Sequence, residues 1–195
     1  SGSSGGPALD EGGRVVGVAS SGREDGDNIG YVIPQTILHL FLDEVEKTGT
    51  WSGISEIGLL WRKIESDSYR SYLGMKDGET GVLILEVAPL GALFGLVKPG
   101  DVITNIDSLR ISNEGKVPIE VSGQHVYCDF EALVTCKPKG KETAFTLLRK
   151  NGENGPLEKV TVNKAMTPIP SFAPRFHGFD AHPDYVLIGG LVFSR

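Results

Sequence analysis

Ser4 is set among glycines in Gly2-Ser3-Ser4-Gly5-Gly6-Pro7. Glycine lets a backbone turn tightly, so the N–H groups of Gly2 and Ser4 could point at one spot. An oxyanion formed there would be held by both amides. The hydroxyl attacks a carbonyl and the amides carry the charge that develops on its oxygen, which is the chemistry of acyl transfer. A serine hydroxyl needs an adjacent base to do this. Ser-Gly-Ser-Ser-Gly also fits an expression-tag remnant, and six residues do not separate the two readings.

Other reactive residues fit chemistry less well. Asp101 and Asp107 sit in turn sequences, where Asp caps backbone amides, so neither reads as a metal ligand or an acid–base group. No Lys-Ser or Lys-Thr follows a glycine run, which excludes a phosphate loop. Cys128 and Cys136 stand eight residues apart, a spacing of neither a zinc knuckle nor a redox pair. Both are expected on or beside one helix as small apolar residues. His39, His125, His177 and His182 do not cluster with them, and the last two lie in a proline-rich stretch that reads as surface. No metal and no cofactor is expected.

The chain has 195 residues, 39% of them hydrophobic and 23% charged, which fits a globular protein of one or two domains. The formal charge of −6 argues against nucleic acid and anionic membrane partners. No apolar run approaches the roughly 20 residues of a membrane span.

These residues must be positioned by elements legible in the pattern. Pro7 to Leu9 reads as a strand, Asp10 to Gly13 as a turn, Arg14 to Ser20 as the return strand, and Ser21 to Asp27 as a loop. Asn28 to Pro34 is another strand, stopped by proline. From Gln35 the period changes: Ile37, Leu38, Phe41, Leu42 and Val45 predict an amphipathic helix of about three turns, with Lys47 in its last turn and Gly49 as its cap. Ile54 to Ile64 reads as a strand region and Ser66 to Gly78 as polar with a short helix. Gly81 to Val87 is a buried strand. A short helix is expected near Leu93 to Leu96. A tight turn at Lys98 to Asp101 precedes strand Val102 to Ile106, and Asp107-Ser108 turns again. Asp129 to Thr135 reads as a helix. Thr143 to Arg149 and Leu157 to Val162 read as paired strands.

The residues resemble a known family. Gly-x-Ser-Gly-Gly-Pro, with the strand Ile29-Gly30-Tyr31-Val32-Ile33-Pro34 after a hairpin, resembles the end of the trypsin-like domain of HtrA/Deg serine proteases. Ala88-Pro89-Leu90-Gly91-Ala92, followed by Gly95-Leu96-Val97-Lys98-Pro99-Gly100-Asp101-Val102-Ile103, resembles the core of the PDZ domain attached to those proteases. Gly115 to Pro118 with Phe130-Glu131-Ala132-Leu133-Val134 resembles the plant-type Deg subgroup. So does Pro183 to Phe193, which is similar to the opening strand of a second PDZ-like domain. The implied fold is mainly β with short helices. It comprises the tail end of a trypsin-like β-barrel (1–34), a linker helix (35–52), a PDZ domain (53–166) and the truncated start of a second PDZ-like domain (167–195).

The resemblance implies roles. The parent protein would be an ATP-independent serine endopeptidase acting in protein quality control, and this chain a C-terminal portion of it. Ser4 would be the nucleophile and Gly2 would supply an oxyanion amide. Asn28, Ile29, Gly30 and Tyr31 would pair with the substrate. The His and Asp of a triad would precede residue 1, so this chain alone is expected to be inactive. Half a barrel also leaves exposed strand edges. Ile57, Gly58 and Leu59 would form the carboxylate-binding loop of the PDZ groove, with Phe130, Leu133 and Val134 lining its pocket. Glu56 stands where the family has a hydrophobic residue, and its charge disfavours a terminal carboxylate beside it. An internal segment or a neighbouring subunit is the alternative occupant. The implied partners are unfolded or peptide substrates, a PDZ ligand peptide, and further copies in a trimer-based homo-oligomer. A peptide-binding or assembly module without catalysis is the competing reading. The residues name no compartment.

Overall fold

The first three strands follow from a proline start, a turn built on Asp10 and a proline stop. The computed structural model describes residues 4–22, 30–121, 123–152, 155–171 and 185–194. Gly2, Asn28, Ile29, His177 and His182 lie outside them. Strands β1 (Pro7–Leu9), β2 (Val15–Gly22) and β3 (Gly30–Pro34) form an antiparallel sheet in the order β1-β2-β3. In the turn between the first two, the Asp10 carboxylate accepts the N–H groups of Gly12 and Arg14, each at 2.9 Å, and Arg14 Nε at 2.8 Å. The backbone bond from Arg14 contributes most to holding the Asp10 carboxyl below its ordinary pKa. Pro34 then ends β3 and precedes helix α1 (Gln35–Thr48). Gly49 caps it in the left-handed conformation, donating its N–H to Val45 O at 2.8 Å. The helix carries the expected apolar stripe, yet none of its residues is buried. Phe41 meets Trp51 edge-on at 5.4 Å.

The larger sheet comprises β4 (Leu59–Lys63), β5 (Val82–Val87), β6 (Val102–Ile106), β7 (Leu109–Arg110), β10 (Glu142–Lys150) and β11 (Leu157–Ala165). Its order is β11-β10-β6-β5-β4, with β7 paired to β6. Successive side chains on a strand point to opposite faces. Val82, Ile84, Ile103 and Leu147 therefore join the main core with Phe130, Phe145 and Val134. Their neighbours Leu83, Val102 and Leu148 enter a second cluster with Ile64 and Met75, covered by Tyr69 and Leu73 of α2 (Asp67–Leu73). Burial on both faces is why Val82 to Leu85 reads as an uninterrupted apolar run.

Both turn aspartates are structural. Asp101 accepts the Lys98 N–H at 2.8 Å and receives Arg149 through Nε at 2.8 Å and Nη2 at 2.6 Å. Asp107, at φ 51°, accepts the Ala144 N–H at 3.1 Å and Lys137 Nζ at 2.6 Å.

The structure corrects five local expectations. No helix forms near Leu93 to Leu96; the segment is a run of turns in which the Leu93 carbonyl accepts from both Leu96 and Val97. The strand expected from Ile54 begins only at Leu59, because residues 51–58 form the loop that leads into it. A hairpin of β8 (Lys116–Val121) and β9 (Gln124–Asp129) places Cys128 on a strand. Asp129 pairs there with Lys116, so helix α3 keeps a single turn (Ala132–Thr135), with Cys136 at its end. The expected single strand near the end of the chain is a hairpin of β12 (Tyr185–Ile188) and β13 (Leu191–Ser194), turned at Gly189-Gly190.

Candidate functional site: an edge-strand groove and a serine loop

The groove is built from the loop that precedes β4. Ser55 is buried, and its hydroxyl donates to Met166 O at 3.3 Å, while the Glu56 N–H donates to Thr167 O at 3.4 Å. The loop is thereby fixed to the segment that leaves β11. Gly58 adopts φ +67°, and a Cβ there would lie 2.7 Å from Ile169 Cδ1 and 3.2 Å from Ala88 Cβ. Both the dihedral and the space demand glycine. The Gly58 carbonyl accepts the Ala88 N–H at 2.8 Å. Among the described residues, the N–H groups of Ile57 and Gly58 donate to nothing within the chain. β4 is, among the described residues, an edge strand paired only with β5. One side of β4 thus presents backbone groups that another strand could pair with.

Facing this edge is the segment Phe130 to Thr135. The groove between them measures about 540 Å³ and is lined by residues 56–60 and 86–89 together with Glu131, Thr135 and Ile169. Of the residues singled out in the sequence, Ile57, Gly58 and Leu59 do come to this groove. Phe130 and Val134 are fully buried in the core, where Phe130 meets Trp61 edge-on at 5.4 Å. Leu133 is half-buried against the same core. The residues that this segment shows to the groove are Glu131 and Thr135, four apart and so on one helical stripe. Sequence reasoning had also missed Ile169, since the proline-flanked stretch after β11 gives no periodic signal.

The serine loop lies in the smaller sheet. Ser4 is exposed, and its hydroxyl donates to Ser20 O at 2.8 Å. Gly5 N–H donates to Ala19 O at 2.7 Å and Ala19 N–H to Gly6 O at 2.9 Å, which extends the β1–β2 ladder up to the serine. Gly30 opens β3 opposite Gly22, and Tyr31 follows, exposed. Among the described residues no three His, Cys, Asp or Glu side chains gather as a metal site would require, and no helix is long and apolar enough to cross a membrane.

No family model matches the chain. It is 34% identical over 195 residues to "Protease Do-like 2, chloroplastic" of Arabidopsis thaliana, an alignment covering 99% of this chain and 30% of that protein. It is 31% identical to "Putative protease Do-like 3, mitochondrial" of the same plant, covering 98% of this chain and 32% of the relative. The chain thus spans about a third of the length of these curated relatives. Among solved structures, "HtrA-type protease AlgW with tripeptide" superposes with a TM-score of 0.50 at 23% identity, covering 84% of this chain and 49% of that one. "HtrA-type protease AlgW with decapeptide" gives 0.50 at 19%, covering 85% and 45%. The structural likeness bears on fold alone, and the sequence likeness runs nearly from one end of the chain to the other: the homologues of this chain are HtrA/Deg, or Do-like, proteases.

Proposed function

We propose that this chain is part of an ATP-independent HtrA/Deg-type serine endopeptidase that degrades unfolded or damaged proteins. It would carry the nucleophile loop in 1–34, a linker helix in 35–52, a peptide-binding PDZ domain in 53–166 and the start of a second PDZ-like domain in 167–195. The observation that carries this reading is the 34% identity to a Do-like protease along 99% of the chain.

The geometry supports a division of labour. Ser4 Oγ attacks the scissile carbonyl once a base takes its proton. The only acceptor of that hydroxyl among the described residues is the Ser20 carbonyl, a neutral group that takes no proton. Following the family resemblance, the base is a histidine supplied by the rest of the full-length protein, and the Ser4–Ser20 bond breaks when the hydroxyl turns to it. The amides of Gly2 and Ser4 stabilise the oxyanion, at roughly 3–4 kcal/mol per donor. Residues 28–31 pair with the substrate backbone beside the nucleophile. At the groove, an extended peptide adds to the β4 edge, and the free amides of Ile57 and Gly58 receive its terminal or internal carbonyl oxygens. The two AlgW structures are named for complexes with peptides, which fits this use of the groove. Full-length copies assemble as trimer-based homo-oligomers.

Labelling of the full-length protein with a fluorophosphonate tests the catalytic half. Wild type is expected to be labelled and Ser4→Ala to be silent. A folded, assembled wild type that takes no label favours the second reading, a peptide-binding or assembly module without catalysis. The specific observation behind that reading is that the groove is complete within the described residues whereas Ser4 has no base there.

A further inference from the structure

The groove at the β4 edge has a charge that its shape does not require. Glu56 projects from the loop, Glu86 stands on β5 and Glu131 on the α3 side, and all three line it. No lysine, arginine or histidine is found among the described residues that line it. Among the described residues none of the three glutamates forms an ion pair. Of the lysines near α3, Lys137 Nζ lies 2.6 Å from Asp107 and Lys116 Nζ lies 2.8 Å from Asp129. Three carboxylates around one cleft repel each other and any anion placed between them.

We infer that the groove selects an extended segment bearing lysine or arginine side chains, read by Glu56, Glu86 and Glu131. This rests on the reading of the groove as a peptide site. The place of the ligand is given by the unpaired β4 edge and the two free amides, which would bind the backbone of any sequence. The charge decides which sequences remain. A strand added to β4 sends alternate side chains to opposite faces. One set faces Glu131 and Thr135, while long cationic side chains of the other set reach towards Glu86. A basic residue near the loop end meets Glu56. An acidic segment would put like charges at all three positions, which costs affinity and suppresses wrong partners.

The test uses the whole chain and two dye-labelled peptides of about eight residues, blocked at both ends so that no terminal charge contributes. One alternates valine with lysine, and the other alternates valine with glutamate. Anisotropy titrations should show the lysine peptide binding at least roughly ten-fold tighter, with the preference shrinking as salt rises and screens the charges. The variant Glu56→Gln/Glu86→Gln/Glu131→Gln, isosteric at two exposed and one half-buried position, should bind the lysine peptide roughly ten-fold more weakly, as the loss of about three screened pairs predicts. Equal binding of both peptides overturns the inference and leaves the groove reading intact. So does an unchanged affinity of the triple variant for the lysine peptide. Binding of neither peptide to the folded chain overturns both.

Discussion

At the scale of single residues, a buried ion pair centred on Asp101 is costly to disturb. Its side chain is only 3% exposed, and it serves the Lys98 turn and Arg149 together. Arg149 Nη2 also donates to Leu96 O at 2.7 Å, so one guanidinium ties the 93–101 turns to β10. Removing one partner of a buried pair leaves the other without compensation, at about 3–5 kcal/mol. Arg149→Ala should therefore lower the unfolding free energy read from urea titration by an amount of that order, and a loss of less than about 1 kcal/mol would show that water replaces the arginine freely. The cysteines supply a pH test. Burial raises the Cys128 thiol above its ordinary pKa, aided by the charge of Asp129, and burial alone raises Cys136. In the interval between the ordinary and the folded value the folded state binds more protons than the unfolded one. The contribution to stability is therefore full below the ordinary thiol pKa and is lost as pH rises through the folded value. Iodoacetamide at mildly alkaline pH should label both thiols more slowly in the native chain than in urea. Equal rates would show that the native thiols ionise as free ones do.

At the scale of elements, the junction between β7 and β8 turns on Gly115. It has φ +79°, and a Cβ there would lie 2.5 Å from the Trp61 ring on β4. Its carbonyl accepts the Phe130 N–H at 3.0 Å, so this glycine joins the hairpin, the edge strand and the groove-facing segment. Gly115→Ala should cost about 1–2 kcal/mol for the left-handed backbone and about 1–3 kcal/mol more for displacing the indole. Gly140→Ala, at φ +78° with open space around it, should lose only the first part. Urea titration of both variants, with tryptophan emission shifting in the first alone, checks the difference; equal losses would show that the indole gives way freely. The same region marks the limit of what the pattern disclosed. Punctuated runs such as Val82 to Val87 and Val102 to Ile106 identified themselves, as did the helix ending at Gly49. The β8–β9 hairpin did not, because Pro118 stands inside its first strand, where a proline argues against a strand, and Cys128-Asp129 continues smoothly into a helical stretch. The segment that follows this hairpin turns the half-buried Glu131 and Thr135 to the groove while burying Phe130 and Val134. A helix of one turn has no periodicity from which to read its inward face, so the motif located the groove without naming its lining.

At the scale of the whole molecule, the two largest sheets among the described residues are unequally finished. The larger one buries side chains on both faces. The smaller one leaves Leu9, Val15, Val16, Tyr31, Val32 and Ile33 exposed, and α1 adds exposed Phe41 and Leu42. In the β12–β13 hairpin, Tyr185 to Ile188 and Leu191 to Phe193 are all more than half exposed. Exposed apolar side chains in such number mark an interaction face or an association hazard, and open strand edges add unpaired backbone groups. The charge of −6 opposes association only weakly at physiological salt, where the screening length is about 8 Å. In the full-length protein, the proposed cover for the smaller sheet is the remainder of the protease domain. For the chain by itself the expectation is concentration-dependent self-association, together with binding of a hydrophobic dye. The double variant Leu9→Lys/Val32→Lys should shift sedimentation towards monomer. It should leave the urea transition of the larger sheet unchanged, because neither residue belongs to that core. A wild-type chain that sediments as monomer across the micromolar range and binds no dye would mean that these strands satisfy their apolar faces locally. The cover proposed from the rest of the protease would then be unnecessary.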